Sequence, residues 1–345
     1  MVASMPEALL TSEAAEAALV AERQIMGNAV VMAELGERLR RQRPAFVASC
    51  ARGSSDHAAT YGKYLIERTL GLPVASLGPS LASVYGGKLD LSGALFIAVS
   101  QSGHSPDALR LTEAAKRGGA LVVGLVNDEA SPLAGLVDVL VPLRAGPEKS
   151  VAATKSFLAT CIAFLHLTAA WSQDEALVAA LEQAPRRLTE AGDCDWSPMF
   201  AGLKDAASLY VIGRGLGLGI AQEMALKFKE TCRIHAEAFS AAEVLHGPLA
   251  LVGLGFPAIV LDPADEGRDS TLSVATALAR FGAEVAYAGH GRNVGTALPM
   301  PSNVSPALAP LVQARAFYGG IAALAVARGL DPDNPPHLNK VTRTL

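Results

Sequence analysis

Apolar and polar positions along this chain follow two alternating rhythms. Short runs rich in β-branched residues, Ala94-Leu-Phe-Ile-Ala-Val99, Leu121-Val-Val, Val137-Asp-Val-Leu-Val141 and Ala258-Ile-Val-Leu261, read as buried strands. Longer amphipathic stretches separate them, such as Ala108-Leu109-Leu111-Ala114-Ala115, whose spacing fits one face of a helix. Nearly continuous apolar strands alternating with helices predict an α/β fold, a doubly wound parallel sheet covered on both faces. In such sheets ligands collect beyond the carboxyl ends of the strands.

The pattern occurs twice. Phe46-Val-Ala-Ser-Cys-Ala-Arg52-Gly53-Ser54-Ser55 leads into a helical stretch ending near Glu67, and Leu209-Tyr-Val-Ile-Gly-Arg214-Gly215-Leu216-Gly217 into one ending near Glu230. Ala115-Lys-Arg-Gly-Gly-Ala120 matches Leu278-Ala-Arg-Phe-Gly-Ala283. The first pair is offset by 162 residues (Arg52 to Arg214) and the second by 163 (Ala120 to Ala283), which predicts two tandem α/β domains and not a short-period solenoid. The expected division is a helical segment over 1–33, a first domain over 34–170, a helical linker over 171–195, a second domain over 196–330 and a non-helical tail over 331–345.

Composition narrows the picture. The 345 residues suffice for two full cores, and an apolar content of 50% requires much surface to be buried between layers or subunits. Apolar runs such as Leu249–Leu261 are broken by Gly and Pro and fall short of the roughly 20 residues of a spanning helix, so no membrane partner is expected. No basic stretch followed by an apolar one opens the chain, and the four cysteines are widely spaced without a CxxC pair; both point to a cytoplasmic protein with reduced thiols. A net charge of -4 gives no footing for nucleic acid. His57, His104 and His166 share no ligand spacing with a carboxylate, so neither a metal nor another cofactor is expected.

The candidate chemistry starts at Ser100-Gln101-Ser102-Gly103-His104-Ser105, between the Ala94–Val99 strand and the following helix. Unpaired N–H groups at a helix start, hydroxyl donors and a glycine suit a phosphate monoester. The absence of a GxxxxGK[ST] pattern argues against a nucleoside triphosphate. A serine-rich helix-capping turn would read the same way. Glu223, Lys227 and Glu230, at i, i+4 and i+7, fall within about 60° on a helix. They form either an acid–base set or an exposed Glu–Lys ladder.

Several blocks together resemble the SIS (sugar isomerase) family: Ser100-Gln-Ser-Gly, Val151-Ala-Ala-Thr-Lys155, Ala225-Leu-Lys-Phe-Lys-Glu230 to His235-Ala-Glu-Ala-Phe239, Glu243-Val-Leu-His246-Gly-Pro-Leu-Ala-Leu251 and Leu338-Asn-Lys340-Val-Thr. From Arg38 to Leu345 the chain is similar to the isomerase half of glutamine–fructose-6-phosphate aminotransferase, a pair of SIS domains. Because the resemblance is to the isomerase half alone, the expectation is of a protein without the glutaminase part and its cysteine nucleophile. Arg52 and Ala153 replace a cysteine and a serine, as in stand-alone amino-sugar-phosphate deaminases and fructosamine-phosphate deglycases.

The residues expected to bind substrate are Arg52, Gly53, Ser54, Ser55, Ser100, Gln101, Ser102, Ser105 and Glu223, together with Val151 and Ala153 in a sugar-contacting turn. It implies Glu230 as the carboxylate moving a proton between C1 and C2, with Lys227 holding it ionised. His246 would open the sugar ring from a neighbouring subunit, making the protein a homodimer with a composite site. Lys340, desolvated under the tail, would form a Schiff base. The expected activity is conversion of glucosamine 6-phosphate to fructose 6-phosphate and ammonia through an enolamine. Alternatives are fructosamine-6-phosphate deglycation, ammonia-dependent synthesis of glucosamine 6-phosphate, and a non-catalytic sugar-phosphate sensor.

Overall fold

A computed structural model describes residues 8–290 and 294–340. In chain order, helices α1 (Leu9–Ala15) and α2 (Ala17–Arg41) precede β1 (Val47–Cys50), α3 (Ser54–Leu70), β2 (Val74–Ser76), α4 (Ser80–Ser83), β3 (Leu95–Ser100), α5 (Pro106–Arg117), β4 (Leu121–Val126), α6 (Pro132–Leu136) and β5 (Val139–Pro142). Helices α7 (Lys155–Ser172), α8 (Glu175–Gly192) and α9 (Ser197–Phe200) follow. The chain continues through β6 (Ser208–Gly213), α10 (Gly217–Cys232), β7 (His235–Ser240), α11 (Ala241–Val244), β8 (Pro257–Leu261), α12 (Arg268–Arg280), β9 (Glu284–Ala288), β10 (Thr296–Leu298) and α13 (Ala309–Ala327).

The strands form two five-stranded sheets of order β2-β1-β3-β4-β5 and β10-β9-β8-β6-β7. Every pairing is parallel. Adding five to each strand number of the first order gives the second read backwards, so the sequence repeat is a repeat of topology. Each sheet reverses direction of winding once, between β1 and β3 and between β6 and β8, and those switch points are where doubly wound folds hold ligands.

Burial explains the strands. Leu95 to Val99 are all buried, because helices cover both faces of a parallel sheet and leave no solvent side. Phe96, Leu111 and Val122 centre one core; Ile212, Val260 and Leu278 centre the other. Helix α10 is fixed by aromatic packing: Phe228 meets Phe200 and Phe317 edge-on, with centroids 5.6 and 5.4 Å apart. Such pairs add about 0.5–1.5 kcal/mol each beyond area burial. Helix α13 is long and apolar enough to cross a membrane by composition alone, yet 78% of its most apolar window is buried within the fold. Cys50, Cys161, Cys194 and Cys232 are free thiols. Burial pushes the Cys50 thiol up to about 12, with the Asp107 carboxylate adding to the effect, which keeps it protonated.

The chain forms two compact units. One comprises residues 19–146 and 156–185; the other 8–18, 147–155 and 186–340. The N-terminal helix α1 and the loop before α7 therefore belong with the second sheet. The break at Pro185 falls inside α8.

Candidate active site

The anion loop lies in the unit built on the first sheet. It leaves β3 and enters α5, while the Arg52–Ser55 turn leaves the adjacent strand β1 and enters α3, so the two turns flank the switch point. Gly103 has φ +66°, and a Cβ there would lie 2.1 Å from Ser131 Oγ; only glycine fits. Its N–H donates to Ser100 Oγ at 2.9 Å, which shapes the loop and leaves the Ser100 hydroxyl proton for another acceptor. Ser102 Oγ accepts from His104 N at 3.4 Å. The Ser105 hydroxyl donates to Asp107 Oδ1 at 2.6 Å.

Asp107 ties the two turns together. Arg52 donates to its Oδ2 from Nε at 3.2 Å and from Nη2 at 2.8 Å. Burial would raise the Asp107 carboxyl, but the Ser105 hydroxyl, the Arg52 guanidinium and the Ala108 N–H outweigh it and hold the group below the usual carboxylate range. Arg52 is 56% exposed, and the carboxylate engages only part of its donor fork. A cation thus stands at the mouth of a loop that contains no lysine.

In the other unit, α10 carries Glu223, Lys227 and Glu230 on one face, as the spacing requires, but the exposed-ladder alternative is overturned. The Lys227 side chain is fully buried and the Glu223 side chain nearly so. Lys227 Nζ lies 3.0 Å from Glu223 Oε1 and 2.7 Å from Glu230 Oε2. Burial pulls the lysine pKa down, yet the two carboxylates more than compensate and hold it above its ordinary value. Glu230, 17% exposed, reaches an open cleft of about 560 Å³ whose walls are Leu226, Lys229, Glu230 and Arg233 from the helix and Pro336, His337 and Leu338 from the tail.

The tail itself is knotted to α1 and to the 147–155 loop. Asp333 accepts from the backbone N–H groups of Leu9 and Leu10, both at 2.7 Å, and its carbonyl accepts from Val151 N at 3.1 Å. Glu13 accepts from the N–H groups of Lys149 and Ser150, and Lys155 pairs with Glu16 at 2.8 Å. Glu148, whose side chain is fully buried, accepts from Thr154 N at 2.9 Å and from Lys340 Nζ at 2.8 Å. Lys340, expected to be desolvated under the tail, is 22% exposed and forms an ion pair with Glu148.

Of the expected site residues, Arg52, Gly53, Ser54, Ser55, Ser100, Gln101, Ser102 and Ser105 belong to the first-sheet unit. Val151, Ala153, Glu223, Lys227, Glu230, His246 and Lys340 belong to the second. Within the latter, the Lys340 tail and Glu230 share a cleft, whereas His246 is exposed and is not part of its lining. Asp107, Glu148 and Asp333 are additional participants. Each is an acidic residue inside or beside a block already marked out, but none sits at a spacing that announces its partner. Among the described residues no group of three or more His, Cys, Asp or Glu is placed to hold a metal ion.

Comparison with known proteins follows the same lines. The sequence model of the SIS domain matches residues 40–170 and 202–288, one stretch for each sheet. Glutamine–fructose-6-phosphate aminotransferase (isomerizing) of Aeropyrum pernix is 37% identical over 312 residues, covering 84% of this chain and 49% of that protein. The chain thus spans about half the length of the curated relatives it matches. A crystal structure from Silicibacter pomeroyi, provisionally described as a phosphosugar isomerase, is 43% identical with a TM-score of 0.91 and covers 95% of this chain and 100% of that one. The C-terminal domain of glucosamine-fructose-6-phosphate aminotransferase from Francisella tularensis shares the fold at 24% identity, with a TM-score of 0.82 over 97% of this chain and 100% of that one.

Proposed function

The chain belongs to the SIS-domain family, and on that premise we propose that it deaminates and isomerises an amino-sugar phosphate, taking glucosamine 6-phosphate to fructose 6-phosphate and ammonia. The observation that carries this reading is Lys227, buried between Glu223 and Glu230, with Glu230 reaching a cleft shared with the tail that bears Lys340. Moving a proton between C1 and C2 needs a carboxylate held at the substrate, and the Lys227 ammonium 2.7 Å from its Oε2 orients Glu230 for that role.

The remaining roles are those that the family resemblance implies, residue by residue. Ser100, Ser102 and the N-termini of α3 and α5 receive the phosphate, with Arg52 at the mouth. Glu230 abstracts the C2 proton of the open-chain 2-amino aldose, giving the enolamine, and delivers it to C1, which leaves a ketimine at C2. Lys340 captures the resulting ketimine as ammonia leaves. His246 opens the ring from a second copy of the chain; its exposure, next to the exposed Leu245 and Leu251, supports an interface there. The forms Arg52-Gly-Ser-Ser and Val151-Ala-Ala-Thr favour the degradative direction.

A second reading has its own observation. Lys229 and Arg233 are exposed in the walls of the Glu230 cleft, where they would receive the carboxylate of an amino acid carried on the sugar nitrogen. That would make the protein a fructosamine-6-phosphate deglycase. The experiment is ammonia release from glucosamine 6-phosphate set against amino-acid release from a fructosamine 6-phosphate. A higher kcat/KM for the first supports deamination; a higher value for the second replaces it with deglycation.

A further inference from the structure

Lys340 meets the fully buried carboxylate of Glu148 at 2.8 Å, and an ammonium cannot attack carbon. We propose that Glu148 is a catalytic residue that takes the proton Lys340 must lose and returns it to the departing amine. The inference rests on the Schiff-base role of Lys340 given above.

The surroundings single out Glu148. Glu13 is engaged by the backbone N–H groups of Lys149 and Ser150, Glu16 by Lys155, and Asp333 by the N-terminus of α1. Each of these carboxylates holds the loop or the tail, whereas Glu148 holds the loop with one oxygen and the amine with the other. Oε1 accepts from Thr154 N at 2.9 Å, which fixes the carboxylate plane, and Oε2 faces Nζ. A base in direct hydrogen-bond contact with the nucleophile is the geometry such activation requires.

The step balances without any outside reagent. A proton passes from Nζ to Glu148 Oε2. The freed lone pair forms the Nζ–C2 bond, and the C=N electron pair of the ketimine moves onto its nitrogen. Glu148 protonates that nitrogen, then takes a second proton from the Nζ now bonded to C2 and passes it to the same nitrogen; the Nζ lone pair forms the iminium as the C2–N bond breaks and ammonia leaves. The iminium of Lys340 then faces a carboxylate restored to its charge, and water releases the ketose phosphate.

The test traps the adduct. Protein is mixed with fructose 6-phosphate and borohydride, and the labelled Lys340 peptide is followed by mass spectrometry from about pH 6 to 10, a range reaching the ordinary lysine pKa. Glu148→Gln keeps an oxygen for Thr154 N but cannot take a proton. Its labelling rate near neutral pH should fall about 10²-fold and recover as the pH rises, with Glu148→Asp in between. A Glu148→Gln protein with the parent's profile overturns the proposal, as does one depressed equally at every pH, which would mark a structural role. If the parent itself is never labelled at Lys340, the Schiff-base reading falls and this inference falls with it.

Discussion

Asp333, in the tail, caps the first helix: its carboxylate accepts from Leu9 N and Leu10 N at 2.7 Å across 324 and 323 residues of sequence. The same residue accepts from Val151 N through its carbonyl, so one side chain and one peptide group join the two ends of the chain to the loop beside Glu148. Replacing Asp333 with Ala removes a cap worth about 0.5–2 kcal/mol. Turnover should fall by more than that stability loss implies, because the segment bearing Lys340 loses an anchor. Chemical denaturation alongside steady-state kinetics checks this: kcat should drop while affinity for inorganic phosphate stays at the parent value.

Lys227 gives a prediction of opposite character. Its folded-state pKa is raised, so its contribution to stability is complete below the unfolded lysine value of about 10.4 and is lost as the pH climbs through the folded value. The parent should therefore weaken at strongly alkaline pH. Lys227→Met strands two carboxylates, one of them almost wholly buried, and should cost about 3–5 kcal/mol near neutrality. The double variant Lys227→Met/Glu223→Gln should recover part of that loss. Urea unfolding of the single and double variants measures both effects, and neither variant should turn over substrate.

Residue spacing made one part of the site legible and hid another. The i, i+4, i+7 pattern placed Glu223, Lys227 and Glu230 on one face, but amphipathic reasoning assigns a charged face to solvent. Here α9 and α13 pack on Phe228 at the opposite face, and the charged face is buried as well. The repeat of Arg52 at Arg214 was visible because duplication conserves topology along the chain. Glu148 and Lys340 lie 192 residues apart, and no local period links them; only the folded tail brings them together. The bond from the Ser105 hydroxyl to Asp107 is likewise announced by no motif.

His166 sets an acid-side prediction in the unit of the first sheet. It is 9% exposed on α7, and burial lowers its pKa to about 4. The unfolded chain binds a proton near 6.5 that the folded chain refuses, so stability is full above 6.5 and falls as the pH drops toward 4. Near pH 4.5 the deficit should reach roughly 2–3 kcal/mol. A His166→Leu variant should lose this slope between the two values, as read by denaturant midpoints; an unchanged slope would assign the acid sensitivity to carboxylates instead.

The phosphate loop can be tested against its own repeat. Ser102→Ala and Arg52→Ala should each weaken inorganic phosphate by about 1–3 kcal/mol, the scale of a lost charge-assisted hydrogen bond. Arg214 occupies the position 162 residues after Arg52, but at the same offset from Ser100, Ser102 and Ser105 the turn after β8 carries Asp262, Ala264 and Gly267, with the acidic Asp265 and Glu266 between them. Arg214→Ala should leave phosphate affinity unchanged by calorimetry. Equal losses at both arginines would mean that overall charge, and not the loop, attracts the anion.

Subunit mixing addresses His246. It is exposed and is not part of the cleft lining at Glu230, yet ring opening needs a titrating group at the substrate, and imidazole suits that work near neutral pH. If a second copy supplies it, His246→Ala and Glu230→Gln proteins, each inactive alone, should regain activity when exchanged. A symmetric dimer holds two composite sites, and in a hybrid one site receives both intact residues while the other receives neither. Random exchange of equal amounts makes half the dimers hybrid, so activity should rise to about a quarter of the parent value. Recovery should disappear when both substitutions are carried on one chain and mixed with either single variant's own kind. Exchange is verified by native mass spectrometry of differently tagged chains; hybrids that form without activity would return His246 to its own subunit and remove the composite site.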